Sequence, residues 1–283
     1  MTDLMPLESV DYLVIGHVTE DTTSTGRRLG GTAAFAALTA RSLGLRVGIV
    51  TSVGEGTSLA ALDGIPILRV PSPSTTTFEN TTTPLGRQQV LLARAAPISL
   101  QGLPDIWRHA AIVHLAPVAQ ELTADVAEPF SASLLGITPQ GWMRTWDAAG
   151  GVSPCKWESS EVLLPKAGAV IFSREDVGGD ELSIETMSHQ TRLLVVTEAA
   201  AGCVLYWNGD RRRFRAPKVR QVDDVGAGDV FAAAFFVRLH ATRDPWEAAR
   251  YATLLAARSV SRPGLQGIPT PEEIEASAVE VVE

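Results

Sequence analysis

Asp229 closes the run Asp223-Asp224-Val225-Gly226-Ala227-Gly228-Asp229, and the apolar stretch 230–237 follows at once. Two glycines let a backbone approach a ligand where a Cβ would clash. Unpaired N–H groups at a helix start, with the positive end of the helix dipole, attract an anion. A carboxylate inside such a site repels the anion, so its chemistry lies elsewhere: it suits taking a proton from a hydroxyl held beside a bound phosphate. The same run also reads as an ordinary helix start with an acid in its first turn, which is stabilising by itself.

The commoner phosphate loops do not fit. A P-loop needs Gly-Lys before Ser or Thr, and the chain has no Gly-Lys pair. A dinucleotide fingerprint needs a small residue where Phe231 stands and an apolar strand where Asp223 and Asp224 stand. Gly54-Glu55-Gly56 lacks a third glycine, with Leu59 at that place. A second glycine pair, Gly30-Gly31, follows an apolar strand at 10–15 and Asp21, and opens the alanine-rich segment Thr32-Ala33-Ala34-Phe35-Ala36-Ala37-Leu38. That segment reads as a helix ending at the C-cap Gly44, with a further strand at 46–51.

Together the two stretches resemble the two signatures of the ribokinase-like (PfkB) carbohydrate kinases, in order and spacing over roughly 10–275. The resemblance implies ATP-dependent transfer of a phosphoryl group to a hydroxyl of a sugar or cyclitol. Asp229 matches the catalytic base, and Gly226, Ala227 and Gly228 match the anion hole. Asp21, Gly30 and Gly31 match substrate contacts, and Thr197 and Gly202 match the nucleotide loop. Mg²⁺ is implied, and a monovalent cation at Asp223 is a further option. Residues 30–35 with Arg258-Ser259-Val260 and Gly264-Leu265-Gln266-Gly267 are most similar to the inositol-kinase branch. A sugar, a sugar phosphate or a nucleoside also stays open as acceptor.

The chain departs from the family pattern in several places. Phe35 stands where an Asn is usual, and Ala199 replaces a glycine of the nucleotide loop. Ser173-Arg174-Glu175-Asp176 stands for Asn-x-x-Glu, leaving Asp176 as a candidate for water-bridged Mg²⁺. Asp176 also reads as the start of a helical region. Asp224 replaces a Thr of the second signature. These departures keep a non-catalytic nucleotide- or sugar-binding sensor as the alternative. A dinucleotide oxidoreductase is a third reading.

The elements that must position these residues read as one α/β domain over 1–283. Short apolar runs at 111–115, 132–137, 169–172 and 193–197 alternate mostly with helical segments. That pattern predicts a doubly wound, mainly parallel sheet with helices on both faces. Two segments break the rhythm, at about 17–29 and 74–95, and their threonine-rich or alternating sequences predict antiparallel strands. In the resembling family such strands form a small β lid over the substrate, and the family often dimerises through them. A lid excludes water from the reacting groups. Arg87, just beyond Pro84-Leu85-Gly86, is a candidate substrate contact or a solvated lid arginine.

Hydrophobic residues make up 45% of the 283 and charged residues 20%, enough apolar surface for a full core. A net charge of −8 argues against nucleic acid or an anionic membrane as partner. Two distant cysteines, Cys155 and Cys203, fit a reduced, cytoplasmic setting, and 1–4 do not begin a signal peptide. The five histidines show no metal-ligand spacing. Trp142 and Trp146 are spaced as on one helix face, either walling the pocket or packing in the core. Arg211-Arg212-Arg213 after Asn208-Gly209 reads as a solvated hairpin.

Overall fold

The computed structural model describes residues 8–23, 26–83 and 86–278. The first half runs β1 (Tyr12–Ile15), β2 (Thr19–Thr23), β3 (Gly26–Gly30), α1 (Thr32–Ser42), β4 (Val47–Gly54), β5 (Ile67–Ser72), β6 (Thr77–Thr83), β7 (Gly86–Ala93) and β8 (Ile112–Leu115). Then follow β9 (Leu134–Ile137), β10 (Arg144–Trp146), β11 (Val152–Pro154), α2 (Ser160–Leu163), β12 (Ala169–Ser173), α3 (Glu181–Gln190) and β13 (Leu193–Thr197). The chain continues through β14 (Cys203–Trp207), β15 (Asp210–Phe214), α4 (Ala227–Thr242), α5 (Pro245–Ser259) and α6 (Pro271–Ser277).

Nine strands form the main sheet in the order β15-β14-β13-β12-β9-β8-β1-β4-β5. The seven strands from β13 to β5 are parallel to one another. The β14–β15 hairpin joins antiparallel at one edge of this mainly parallel sheet. Its two-residue turn, Asn208-Gly209, has φ of 51° and 80°, the hand that suits a tight hairpin.

Residues alternate between the faces along each central strand. Tyr12 and Val14 of β1 enter the core beneath α1, α4 and α5, whereas Leu13 and Ile15 enter the opposite core. The second face is covered by α3, the short α2 and several single 3₁₀ turns, so its helices are shorter than the first face's. Gly136 lets α4 settle onto β9, for a Cβ there would lie 2.6 Å from the Phe236 ring. Fully buried Phe236 holds that contact, its burial contributing about 1.5–3 kcal/mol. The start of α5 is set by Pro245 in its first turn and by Asp244, whose side chain accepts from the Trp246 and Glu247 amides.

A separate four-stranded sheet, β3-β2-β6-β7, is the expected lid. Pro84-Leu85, read as its turn, lies outside the described residues. Among the described residues no helix is long and apolar enough to cross a membrane.

Candidate active site

A cavity of about 600 Å³ lies where the strand ends, the lid and the start of α4 converge. Asp21, Gly31, Thr197, Gly202, Gly226, Ala227, Gly228 and Asp229 all line it. Residues scattered from 21 to 229 in sequence are thus gathered into one space.

The α4 end is built by its turn. Gly226 is the N-cap in the left-handed region, φ 82°, and the Ala227 amide donates to the Asp224 carbonyl at 3.2 Å. Asp223 braces this turn: its Oδ1 accepts from Val225 N–H and its Oδ2 from Gly264 N–H, each at 3.0 Å. Asp229 follows in the first helical turn. Its charge is felt in the core, where it adds to the effect of burial in raising the Tyr12 phenol well above its usual range. Tyr12 Oη meets His114 Nδ1 at 2.8 Å, and His114 Nε2 meets Thr138 Oγ1 at 2.9 Å. Burial pushes His114 down to about 3, so this internal chain is uncharged at neutral pH.

The lid end is polar. Asp21 Oδ1 accepts from Asn80 Nδ2 at 2.9 Å, and Asn80 Oδ1 accepts from Gln89 Nε2 at 2.8 Å. Gly30 leaves room for this carboxylate, since a Cβ there would lie 2.6 Å from Asp21 Oδ2. Gly31 has φ 84° and would place a Cβ 2.7 Å from the His17 carbonyl. Gly30 therefore acts on Asp21 and stands outside the cavity lining. The side chain of Arg87 lies outside the described residues.

Sequence reasoning missed Gln89, Gln140 and Arg144, which face the same space from β7, from the turn after β9 and from β10. No motif marks them, because each comes from an irregular or alternating segment. Trp142 and Trp146 do not share a helix: a 3₁₀ turn over Pro139–Met143 gives way to β10. Trp142 is buried and stacks on Trp157 at 5.4 Å between ring centroids, so it packs in the core and does not line the cavity.

The opposite end is more apolar, formed by Val219, Ala256, Ala257 and Val260 with Thr253 and Lys218 at its margins. Ala199 adopts φ 47°, so it holds the left-handed conformation that a glycine takes without strain. Gly202 has φ 96°, and a Cβ there would lie 1.9 Å from the Phe214 carbonyl. Glu198, next to Thr197, receives Arg174 at 2.8 Å and also pairs with Arg213, which ties this loop to β15 and to the turn after β12.

Asp176 is used differently from a simple metal ligand. Its Oδ2 accepts the Ser173 amide at 2.8 Å in a capping box, and its Oδ1 accepts from Gln140 Nε2 at 3.3 Å. Ser173 and Glu175, rather than Asp176, line the cavity. No cluster of three or more His, Cys, Asp or Glu is arranged around a metal position among the described residues. A cation that keeps its waters and binds chiefly through phosphates needs no such cluster, and Glu175 and Asp224 offer carboxylates on the cavity wall.

The fold is ribokinase-like, and the similarity to carbohydrate and inositol kinases marks the chain as a phosphotransferase acting on a hydroxyl group. Residues 169–273 match the pfkB family carbohydrate kinase pattern, so that stretch is a pfkB-family domain. The chain is 29% identical over 290 aligned positions to inositol 3-kinase of Oryza sativa subsp. japonica, spanning 93% of this chain and 71% of that protein. It superposes with a TM-score of 0.78 and 20% identity on a pyrophosphate-dependent kinase in the ribokinase family, solved with a pyrophosphate analog and myo-inositol. That match covers 94% of this chain and 99% of the other. Arabidopsis thaliana ribokinase, solved with ribose and ATP, superposes with a TM-score of 0.73 at 18% identity, covering 95% and 99%.

Proposed function

We propose that this chain transfers the terminal phosphoryl group of ATP to a hydroxyl of a sugar or cyclitol, with myo-inositol the first acceptor to test. One observation carries the reading: the polar lid residues around Asp21 and the start of α4 with Asp229 share a single cavity. Asp21 and Gln89 hold acceptor hydroxyls, which fixes one hydroxyl toward Asp229. Asp229 takes that hydroxyl's proton as the oxygen attacks phosphorus. The Gly226, Ala227 and Gly228 amides stabilise charge on the transferred group. The Ala227 amide exchanges its long bond to Asp224 for a phosphoryl oxygen.

Thr197 and Gly202 flank the nucleotide, whose base lies against Val219, Ala256 and Val260. An apolar wall of that kind suits an adenine ring, and a bare pyrophosphate donor has no use for it. Glu175 and Asp224 would hold a phosphate-bound Mg²⁺ through water, and that ion would screen the phosphate charge. Asp176 contributes through Gln140. Asp223 is engaged with two amides, and this reading requires no monovalent cation there. The reading takes a small molecule as acceptor in a cytoplasmic setting and calls on neither nucleic acid nor membrane as a partner. The outer edge strand β3 is available to a second copy in a homodimer.

The test is product formation with Mg-ATP or Mg-pyrophosphate across myo-inositol, hexoses, pentoses, sugar phosphates and nucleosides, with Asp229→Asn alongside. Turnover with ATP and one polyol class, lost in the variant, is the expected result. Turnover only with pyrophosphate overturns the donor assignment. ATP binding with no acceptor-dependent turnover favours a sensor on the same fold.

A further inference from the structure

Glu121 is 1% exposed, does not line the cavity, and yet carries a carboxylate into the protein interior. Burying a carboxylate is costly unless donors surround it. Here the donors are backbone amides from two separate segments. Oε1 accepts from His17 N–H at 2.9 Å and from Val118 N–H at 3.0 Å, and Oε2 accepts from Val118 N–H at 3.0 Å and Ala119 N–H at 2.7 Å.

Each of these segments leads directly to the acceptor side of the cavity. His17 is two residues before Thr19, where the lid begins, and four before Asp21. Val118 is itself a wall residue. Gln120, turned into the left-handed region with φ 56°, sends its Nε2 to the Arg144 carbonyl at 2.6 Å. Pro117 O accepts from Gly141 N–H at 2.8 Å, beside Gln140. The lid's other root is tied in through His17: its Nε2 donates to the Ala96 carbonyl at 2.9 Å, and its Nδ1 meets the Thr76 hydroxyl at 2.7 Å. Thr76 Oγ1 in turn accepts Ala95 N–H at 2.9 Å.

We propose that Glu121 is a positioning residue for the acceptor: its carboxylate clamps the lid root at His17 to the loop after β8, and so holds Asp21, Val118, Gln140 and Arg144 in register with Asp229. The inference rests on the kinase reading above. The donor side of the cavity, built on α4, α5 and the loop after β13, receives no bond from this clamp. A loss at Glu121 therefore separates the two substrates, which a general loss of stability does not.

The experiment uses the full chain and compares wild type with Glu121→Gln and Gln120→Asn. Glutamine keeps the shape but turns an N–H₂ group toward amide donors. Asparagine tolerates the left-handed backbone and is too short to reach Arg144 O. The expected result is an acceptor KM raised about tenfold or more in Glu121→Gln, since small misplacement of a reacting group is costly. Donor KM stays at the wild-type value, and Gln120→Asn shows a smaller rise in acceptor KM with an unchanged thermal midpoint. Unchanged acceptor KM in both variants, or donor and acceptor KM rising in parallel, overturns the proposal. If wild type turns over no acceptor, the kinase reading fails by itself. Amide hydrogen exchange then decides on the clamp: in Glu121→Gln, faster exchange confined to 17–23, 94–98 and 117–120 supports it, and a uniform increase overturns it.

Discussion

The Phe35 ring lies directly against Gly226, so that a Cβ on Gly226 would stand 2.1 Å from Phe35 Cε1. Phe35 is 2% exposed and also lines the cavity, so the first signature's helix forms the floor of the second signature's turn. The aromatic ring thus supports the Gly226 turn, the proposed anion hole. Gly226→Ala suffers twice, from the clash and from φ 82°. We expect its kcat to fall by about 100-fold or more, as when an oxyanion donor is displaced. Phe35→Ala should cost about 3–5 kcal/mol of stability through the cavity it leaves. In the double variant the two stability losses should sum to less than their separate values, because removing the ring relieves the clash. Simple additivity in urea unfolding would show that the ring does not support the turn.

Asp229→Asn keeps the size of the side chain and removes the proton acceptor. If Asp229 is the base, kcat should fall by about 10²–10⁴, the usual worth of a positioned base. ATP affinity, measured by calorimetry, should hold or improve, because a negative charge leaves the anion site. A variant that retains turnover would require another base.

Asp21 is oriented by the hydrogen-bonded series from Gln89 through Asn80. Asn80→Ala removes a donor to a carboxylate, a bond worth about 1.5–3 kcal/mol. The acceptor KM should therefore rise about tenfold or more, while the donor KM stays constant. An unchanged acceptor KM would show that the Asn80 bond does not position the acceptor.

Much of this site was legible because short motifs fix backbone shape. The glycines at 30, 31, 202 and 226 could be singled out in sequence, since close approach or positive φ excludes most other residues there, whereas Asp21 stood out only through the family resemblance and Asp229 as an acid set in an anion-binding turn. The alternation of strands and helices gave the sheet, and threonine-rich segments gave the lid. Arg144, Gln140 and Glu121 were not legible for a physical reason. They sit in loops, in a turn and at the start of the three-residue strand β10, whose course is set by tertiary contacts such as Gly141 N–H to Pro117 O and Gln120 to Arg144 O. Asp176 was legible as an acid near the site, but its engagement by the Ser173 amide depends on a capping box visible only in three dimensions. The antiparallel β14–β15 edge was half legible, through the Asn208-Gly209 turn.

His114 sets a pH dependence of stability with a definite sign. Its value is about 3 in the folded chain against an ordinary 6.5, and the cause is burial. Well above pH 6.5 the imidazole is neutral in both states, and its full contribution is present. Between 6.5 and 3 the unfolded chain binds a proton that the folded chain refuses, so stability falls as pH falls. The slope from this one group approaches about 1.4 kcal/mol per pH unit well below 6.5, or roughly 2 kcal/mol in all between pH 6.5 and 4.5. His114→Gln lacks the titrating group but keeps a polar side chain between Tyr12 and Thr138. Urea unfolding of both proteins at pH 7.5, 6.0, 5.0 and 4.5 checks this. The advantage of wild type over the variant should level off well above 6.5 and shrink steadily below it. Carboxylates elsewhere titrate equally in the two proteins and cancel in the difference. A difference independent of pH would mean that His114 accepts a proton in place, with Tyr12 and Thr138 rearranging around the charged ring.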